Sequence, residues 1–107
     1  MQTFVAKYKV KNNLRDHVVE WAQFLNNNRD QVLESLRAEG VVFELAFLDN
    51  QVDGLYLIYV FKANNIEKAF EVLESSHRKV DVFHKKVFLE SFTKPKNLEI
   101  LIDFENF

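Results

Sequence analysis

Two neighbouring stretches of the sequence, residues 41–48 and 55–61, are apolar on both faces of the β-strands that they predict. The residues between them are rich in Asp and Asn and end in an Asp-Gly pair, which tolerates the positive φ of a tight turn. The pattern therefore predicts an antiparallel hairpin. A domain of two layers covers only one face of its sheet, so the other face of this hairpin needs a further apolar surface.

The segment before the hairpin predicts one strand and one long helix. Residues 3–10 alternate with a period of two, which is typical of a half-buried strand. Asn12 or Asn13 can cap the following helix, which runs to about Glu39 and is ended by Gly40. Its apolar positions follow helical steps: Leu14, Val18, Trp21, Leu25, Val32 and Leu36. One face of this helix is therefore expected to pack on the sheet.

The segment after the hairpin predicts a second helical region and a last strand. Asn64 or Asn65 caps the helical region, which continues through Phe88 until Pro95 ends it. The last strand is expected over residues 98–104. The whole chain then has the element order β-α-β-β-α-β.

This order is that of a ferredoxin-like α+β domain, with a four-stranded antiparallel sheet and helices on one face. The 107 residues suit a single domain that spans the whole chain, residues 1–107. The apolar open face of the sheet then predicts a homodimer in which a second copy covers it. The alternative is that the two apolar strands are simply central in the sheet and need no partner.

A family resemblance rests on several short segments. They are residues 3–10, residues 33–41, Glu44 within residues 43–48, the segment from Ser76-His77 through Asp81 and His84, and residues 101–104. These segments resemble the dimeric α+β barrel superfamily, and within it a group of small uncharacterised bacterial proteins. The resemblance implies two ferredoxin-like sheets packed face to face. The superfamily includes cofactor-free monooxygenases, sugar mutarotases and proteins of unknown role, so the resemblance selects no chemistry.

Three polar residues fall on the core-facing stripe of the second helical region. On a continuous helix, His77, Asp81 and His84 lie within about one sixth of a turn, because a helix advances about 100° per residue. A carboxylate beside a histidine can fix its tautomer and raise its basicity. We therefore predict that His77, Asp81 and His84 are catalytic residues of an acid/base cluster. They could also hold a metal, but the spacing matches no dedicated metal motif and no metal is assigned.

Three residues elsewhere are predicted to bind substrate in a pocket between sheet and helices: Arg29, Glu44 and Tyr8. Arg29 interrupts the apolar stripe of the first helix, and it could pair with Glu44 or bind an anionic substrate through its forked donors. The alternative is that these groups form an internal network of hydrogen bonds and ion pairs without a ligand. A helix break near Ser76 would also turn His77 out to solvent.

Composition argues against several functional classes. Cysteine is absent, which fits a reducing compartment and excludes thiolate chemistry. The N-terminus does not have the pattern of a signal peptide, and no apolar stretch approaches the roughly 20 residues that span a bilayer, so we expect a cytoplasmic protein without a membrane partner. The net charge of −2 gives no general attraction to nucleic acid. No Gly-rich phosphate loop occurs, and no cofactor is expected.

The sequence thus predicts a small homodimeric cytoplasmic protein. It would bind or transform a small molecule by His/Asp acid–base chemistry in a pocket between sheet and helices. The alternative function is a non-catalytic dimeric interaction module whose polar network is purely structural. A concave pocket that carries the predicted side chains is the feature that separates the two.

Overall fold

The hairpin predicted from residues 41–61 forms half of a four-stranded antiparallel sheet. The structure is a computed structural model and describes residues 1–106. Its elements are β1 (Gln2–Lys9), α1 (Arg15–Asn27), α2 (Arg29–Glu39), β2 (Val41–Gln51), β3 (Gly54–Ala63), α3 (Ile66–Ser75), α4 (Lys79–Ser91) and β4 (Lys96–Asn97). The predicted α+β domain with an antiparallel sheet of four strands is therefore confirmed. None of the helices in this described range is both long and apolar enough to cross a membrane.

The strands lie in the order β2-β3-β1-β4. The register pairs Phe4 of β1 with Phe61 of β3, and it pairs Glu44 of β2 with the same Phe61. Side chains of directly paired residues share one face of a sheet, so Glu44 lies with the two phenylalanines on the face that the helices cover. Leu45 and the other alternate positions lie on the opposite face, which we call the open face.

Each helical region predicted from the sequence is divided into two helices in the structure. Asn28 separates α1 from α2, with φ −119° and ψ 39°. Residues 76–78 separate α3 from α4, and both Ser76 and Arg78 have extended backbone. The Ser76 hydroxyl accepts the Arg78 N–H at 3.1 Å, so a side chain replaces the partner that a helix would provide. The continuous second helix on which the His77–Asp81–His84 cluster depended is therefore absent.

The last strand is much shorter than the sequence predicted. Only Lys96–Asn97 pairs with β1, and the prediction of a strand over residues 98–104 is wrong. The apolar residues of this segment are typical of a strand. In the structure, however, side-chain contacts hold the segment instead of backbone pairing. Asp103 accepts a hydrogen bond from the Thr3 hydroxyl and pairs with Lys62 of β3.

The hydrophobic core has two parts. One cluster packs α1 and α4 on the sheet around Val18, Trp21 and Val87. The second packs α3 on the other end of the sheet around Phe61 and Ala69. Side chains from both clusters line one cavity, which lies where the two parts of the core meet.

Gly40 ends α2, as the sequence predicted, and it adopts the left-handed conformation with φ 73°. A Cβ added there would meet the Asn64 side chain at an ordinary 3.6 Å, so Gly40→Ala should add only backbone strain. We expect a loss of about 1–2 kcal/mol in the free energy of unfolding, seen in urea as a lower midpoint with an unchanged m-value. Gly40→Asn is the matched control and should lose less, because Asn tolerates this conformation better. Equal stability of Gly40→Ala and the unaltered protein would contradict this account.

Candidate functional site

A cavity of about 400 Å³ lies between the sheet and the helices. Its wall is mostly apolar, and its aromatic members are Phe4, Tyr8, Tyr59, Phe61, Phe70 and Phe88. Polar side chains from four elements also reach it: Ser35 and Glu39 of α2, Glu44 of β2, Glu74 of α3, and Asp81, His84 and Lys85 of α4. An apolar cavity with a few convergent polar groups is the usual form of a small-molecule site.

Asp81 joins separate parts of the helical layer. It is buried, with 6% of its surface exposed. Its two carboxylate oxygens accept hydrogen bonds from the hydroxyls of Ser35 and Ser76, each at 2.6 Å. A buried carboxylate is costly unless it is hydrogen-bonded. These two hydroxyls therefore hold Asp81 in place and tie α2 to the break between α3 and α4.

Glu39 lies one helical turn after Ser35 and exchanges protons near neutral pH. Burial raises its pKa from 4.5 to about 7, and the charges of Asp81 and Glu44 add to the effect. Ser35 and Arg78 oppose the shift. The Ser35 hydroxyl has a single proton, which it gives to Asp81 at 2.6 Å, so its contact with Glu39 at 3.5 Å stabilises the ionised Glu39 only weakly. Glu39 can therefore act as both proton donor and proton acceptor at pH 7.

His84 is held as a neutral ring. The indole N–H of Trp21 donates to its Nδ1 at 3.1 Å, so the proton of the neutral ring lies on Nε2. Burial lowers the pKa of His84 to about 4, and the Asp81 carboxylate only partly opposes this. The ring packs against Phe88 with 4.4 Å between centroids. Within residues 1–106 no protein group accepts a hydrogen bond from Nε2, so His84 offers a donor to a ligand in the cavity it lines.

Glu44, Tyr59 and Tyr8 supply the polar groups of the sheet. Burial raises the pKa of Glu44, and hydrogen bonding from the Tyr59 hydroxyl opposes the shift. Burial and the Glu44 carboxylate raise the pKa of Tyr59 well above its usual range. Burial also raises the pKa of Tyr8. Both phenols therefore keep their protons at neutral pH and can donate hydrogen bonds.

The sequence matches a family described as a family of unknown function (DUF6176) over residues 1–107. The chain belongs to the DUF6176 family. No curated protein and no solved structure matches it. Membership of this family agrees with the resemblance to small uncharacterised proteins, while the dimeric α+β barrel superfamily stays a prediction.

In this DUF6176 member, the predicted residues divide between the cavity and the surface. Those that line the cavity are Asp81, His84, Glu44 and Tyr8. Those that are exposed and do not line it are His77 and Arg29. His77 lies in the break between α3 and α4, where extended backbone at Ser76 and Arg78 changes the rotation of the chain. Arg29 is the first residue of α2, and within residues 1–106 it forms no ion pair with Glu44.

The predicted contact between Asp81 and His84 is not formed. Both side chains reach the same cavity, but Asp81 accepts from two serines and His84 accepts from Trp21. The tautomer of His84 is therefore fixed by an indole rather than by a carboxylate. The predicted catalytic role of Asp81 and His84 stays a prediction; in the structure Asp81 accepts hydrogen bonds from two serines, and the proton of His84 lies on Nε2.

Glu39, Ser35 and Trp21 are site residues that the sequence did not indicate. Glu39 precedes Gly40, so it had the pattern of a solvated helix end, although it shares a helix face with Ser35 four residues earlier. Trp21 was assigned to the apolar stripe, yet a buried indole N–H usually has a partner. That requirement is the signal that could have pointed to His84.

The part of the chain that the structure describes holds no cluster of three or more His, Asp and Glu side chains placed to bind a metal ion. The cavity holds the Glu39 carboxyl, with a pKa of about 7, together with a neutral imidazole N–H and two phenols. This set can position a small molecule and move a proton to or from it.

Glu39→Gln should stabilise the protein by an amount that grows as the pH rises from about 5 to 8. The pKa of Glu39 in the folded state, about 7, lies above its value of 4.5 in the unfolded chain. The folded state therefore binds more protons in this window and loses stability as the pH rises. Because Glu39 is partly exposed, solvent screening should limit the loss to about 1–2 kcal/mol. Urea unfolding of both proteins across this range measures the difference.

His84 changes the stability of both proteins with pH in the opposite direction. This contribution cancels when Glu39→Gln is compared with the unaltered protein. The pKa of His84, about 4, lies below 6.5, so His84 makes stability fall as the pH drops from about 6.5 towards 4. Glu20→Gln, at an exposed position of α1, is the matched control for the loss of a carboxyl group outside the cavity. A constant difference between Glu39→Gln and the unaltered protein would show that the pKa of Glu39 is not raised.

Proposed function

We propose that this chain binds a small, mostly apolar molecule in the cavity and exchanges a proton with it through Glu39. One observation carries the proposal: a carboxyl group with a pKa of about 7 lies on the wall of a cavity of about 400 Å³. Ligand sites commonly have volumes of roughly 300–1,000 Å³. A general acid or base is most effective when its pKa is near the working pH, and such shifted pKa values concentrate at functional sites.

The roles of the remaining polar groups follow from their protonation. In a proton abstraction next to a carbonyl, the C–H bond of the ligand breaks and the proton forms an O–H bond with Glu39. Negative charge then develops on the carbonyl oxygen, where the Nε2–H of His84 can stabilise it without transferring its proton. The low pKa of His84, about 4, keeps that ring neutral throughout. Asp81 is held in place by its two serine hydrogen bonds, and its charge helps to raise the pKa of Glu39.

A ligand-observed NMR screen with a library of small aromatic and aliphatic fragments tests the binding site. We expect hits against the unaltered protein that bind more weakly to Leu73→Trp, because Leu73 lines the cavity and the larger indole narrows it. Val52→Trp is the matched control, since Val52 lies in the exposed turn between β2 and β3, outside the cavity. An empty screen, or hits that bind Leu73→Trp as tightly as the unaltered protein, would contradict the proposal.

We further propose that two copies of the chain pair through the open face of the sheet, as in the dimeric α+β barrel superfamily. The register and the strand alternation assign these apolar residues to that face: Val5, Phe43, Leu45, Phe47, Ile58 and Val60. Leu45 and Phe47 are each 50% exposed, although they belong to the predicted apolar hairpin. A contiguous apolar face of this kind is typical of a protein–protein interface.

The charges at the rim of the open face favour a second copy as the partner. Lys7 and Asp49 form an ion pair at 3.5 Å on one side. Lys62 pairs with Asp103 and Glu105 on the other. The rim carries both signs of charge without a large excess of either, which suits a self-complementary contact around a two-fold axis better than a partner of strong opposite charge.

The C-terminal segment beside this rim adds apolar surface. Leu101, Ile102 and Phe104 are 84%, 72% and 90% exposed, respectively. The neighbouring Asp103 and Glu105 nevertheless anchor the segment to Lys62. An anchored segment that leaves large apolar side chains in water supports the proposal, because a second copy on the open face would cover them.

Light scattering at micromolar concentration should give twice the mass of one chain. Leu45→Asp should give the mass of one chain with an unchanged circular dichroism spectrum, because an unpaired charge in the interface would be desolvated. Val52→Asp, an equally apolar-to-acidic change in the exposed turn, should leave the dimer intact. A monomer mass for the unaltered protein would exclude this dimer.

A further inference from the structure

The wall of the cavity carries more negative charge than the protein neutralises. Its acidic members are Glu39, Glu44, Glu74 and Asp81. Among residues 1–106, the ion pairs of the basic side chains involve Asp49, Asp103 and Glu105, and all of these lie away from the wall. The carboxyl groups of the wall therefore have no cationic partner in the described structure.

Lys85, the basic residue of the wall, is already engaged. Its ammonium group donates hydrogen bonds to the backbone carbonyls of Glu74 and Ser76, at 2.9 Å and 3.2 Å. Arg78 is exposed, and it is the weakest of the influences on Glu39. His84 adds no charge, because its ring is neutral. The basic groups in this part of the molecule therefore do not indicate a site for an anionic ligand.

Two of the carboxyl groups are poorly satisfied. Asp81 has two short hydrogen bonds, whereas Glu39 has only the 3.5 Å contact with Ser35. Glu44 interacts with the Tyr59 hydroxyl and has no other hydrogen-bond donor among residues 1–106. A desolvated carboxylate that lacks donors gains most from a cation, because the charge-assisted hydrogen bond replaces the lost water.

The rest of the wall suits the apolar body of such a cation. The rings of Phe4, Phe61 and Phe70 pack together, with centroids 4.9, 5.3 and 5.6 Å apart. Tyr59 lies next to Phe61, at 6.3 Å between centroids. Aromatic rings provide large flat apolar contacts, and their faces also attract ammonium groups.

We propose that the ligand of this cavity is an organic cation, with an ammonium group bound by Glu44 and Glu39 and an apolar body among the aromatic rings. The inference depends on the proposed function only in that the cavity is the ligand site. It narrows the ligand from a small apolar molecule to an amine. The ammonium group favours the ionised form of Glu39, which is the form that accepts a proton in the proposed function.

Three probes of nearly equal shape test the sign of the charge: 2-phenylethylamine, 2-phenylethanol and phenylacetate. At pH 8 the amine is protonated and Glu39 is mostly ionised. NMR or calorimetric titration should show that the amine binds about tenfold more tightly than the alcohol, with phenylacetate weakest. Glu44→Gln should reduce this preference, because it removes one of the two carboxyl groups that bind the ammonium group. Glu71→Gln, an exposed position of α3 outside the cavity wall, is the matched control.

Each outcome decides the inference. If the alcohol binds as tightly as the amine or more tightly, or if phenylacetate binds most tightly, the ligand is not a cation. The cavity remains a ligand site in that case. Absence of binding by all three also overturns the cation, and the fragment screen then shows whether the ligand site fails with it. Should Glu44→Gln not fold, Glu39→Gln provides the second variant and should also weaken binding of the amine alone.

Discussion

The two hydrogen bonds that Asp81 accepts from Ser35 and Ser76 are the interaction on which the rest of the site depends. A carboxylate as deeply buried as Asp81 is tolerated because these hydroxyls replace its water. Ser76 in turn accepts the N–H of Arg78, so the same network fixes the break between α3 and α4. The helical layer is thus held by polar contacts where the two parts of the hydrophobic core meet.

The break between α3 and α4 determines which side chains reach the cavity, and the charge of Asp81 influences their protonation. Because α4 begins after the break, His77 stays at the surface, while His84 reaches Trp21 and the cavity wall. The charge of Asp81, added to burial, raises the pKa of Glu39 to about 7. The carboxylate of Asp81 therefore positions the helices and also influences the protonation of Glu39. A structural role and a functional role of the polar network are thus compatible.

Local patterns predicted the first three strands well, because strand periodicity and turn residues act over a few positions. These patterns predicted the hairpin and the end of α2 at Gly40. They also indicated Glu44 as a polar side chain at the cavity among apolar neighbours. The helix break near Ser76 was only an alternative in the sequence, since the hydrophobic stripe continues across residues 76–78 and the hydrogen bonds of Ser76 interrupt it. Residues 98–104 have a strand-like composition but are anchored by Asp103, which is a long-range contact that no local pattern contains. Glu39 was missed for the same reason, because its pKa depends on Asp81 and Glu44.

The most direct test of this account is a site-specific NMR titration of the Glu39 side-chain carboxyl carbon. The account predicts a pKa of about 7, caused by burial and by the neighbouring carboxylates. It also predicts that Asp81→Asn, which removes one of those charges, lowers the pKa of Glu39. A titration of Glu39 near the ordinary value of 4.5 would contradict the account, because Glu39 would then not exchange protons at neutral pH as the proposed function requires.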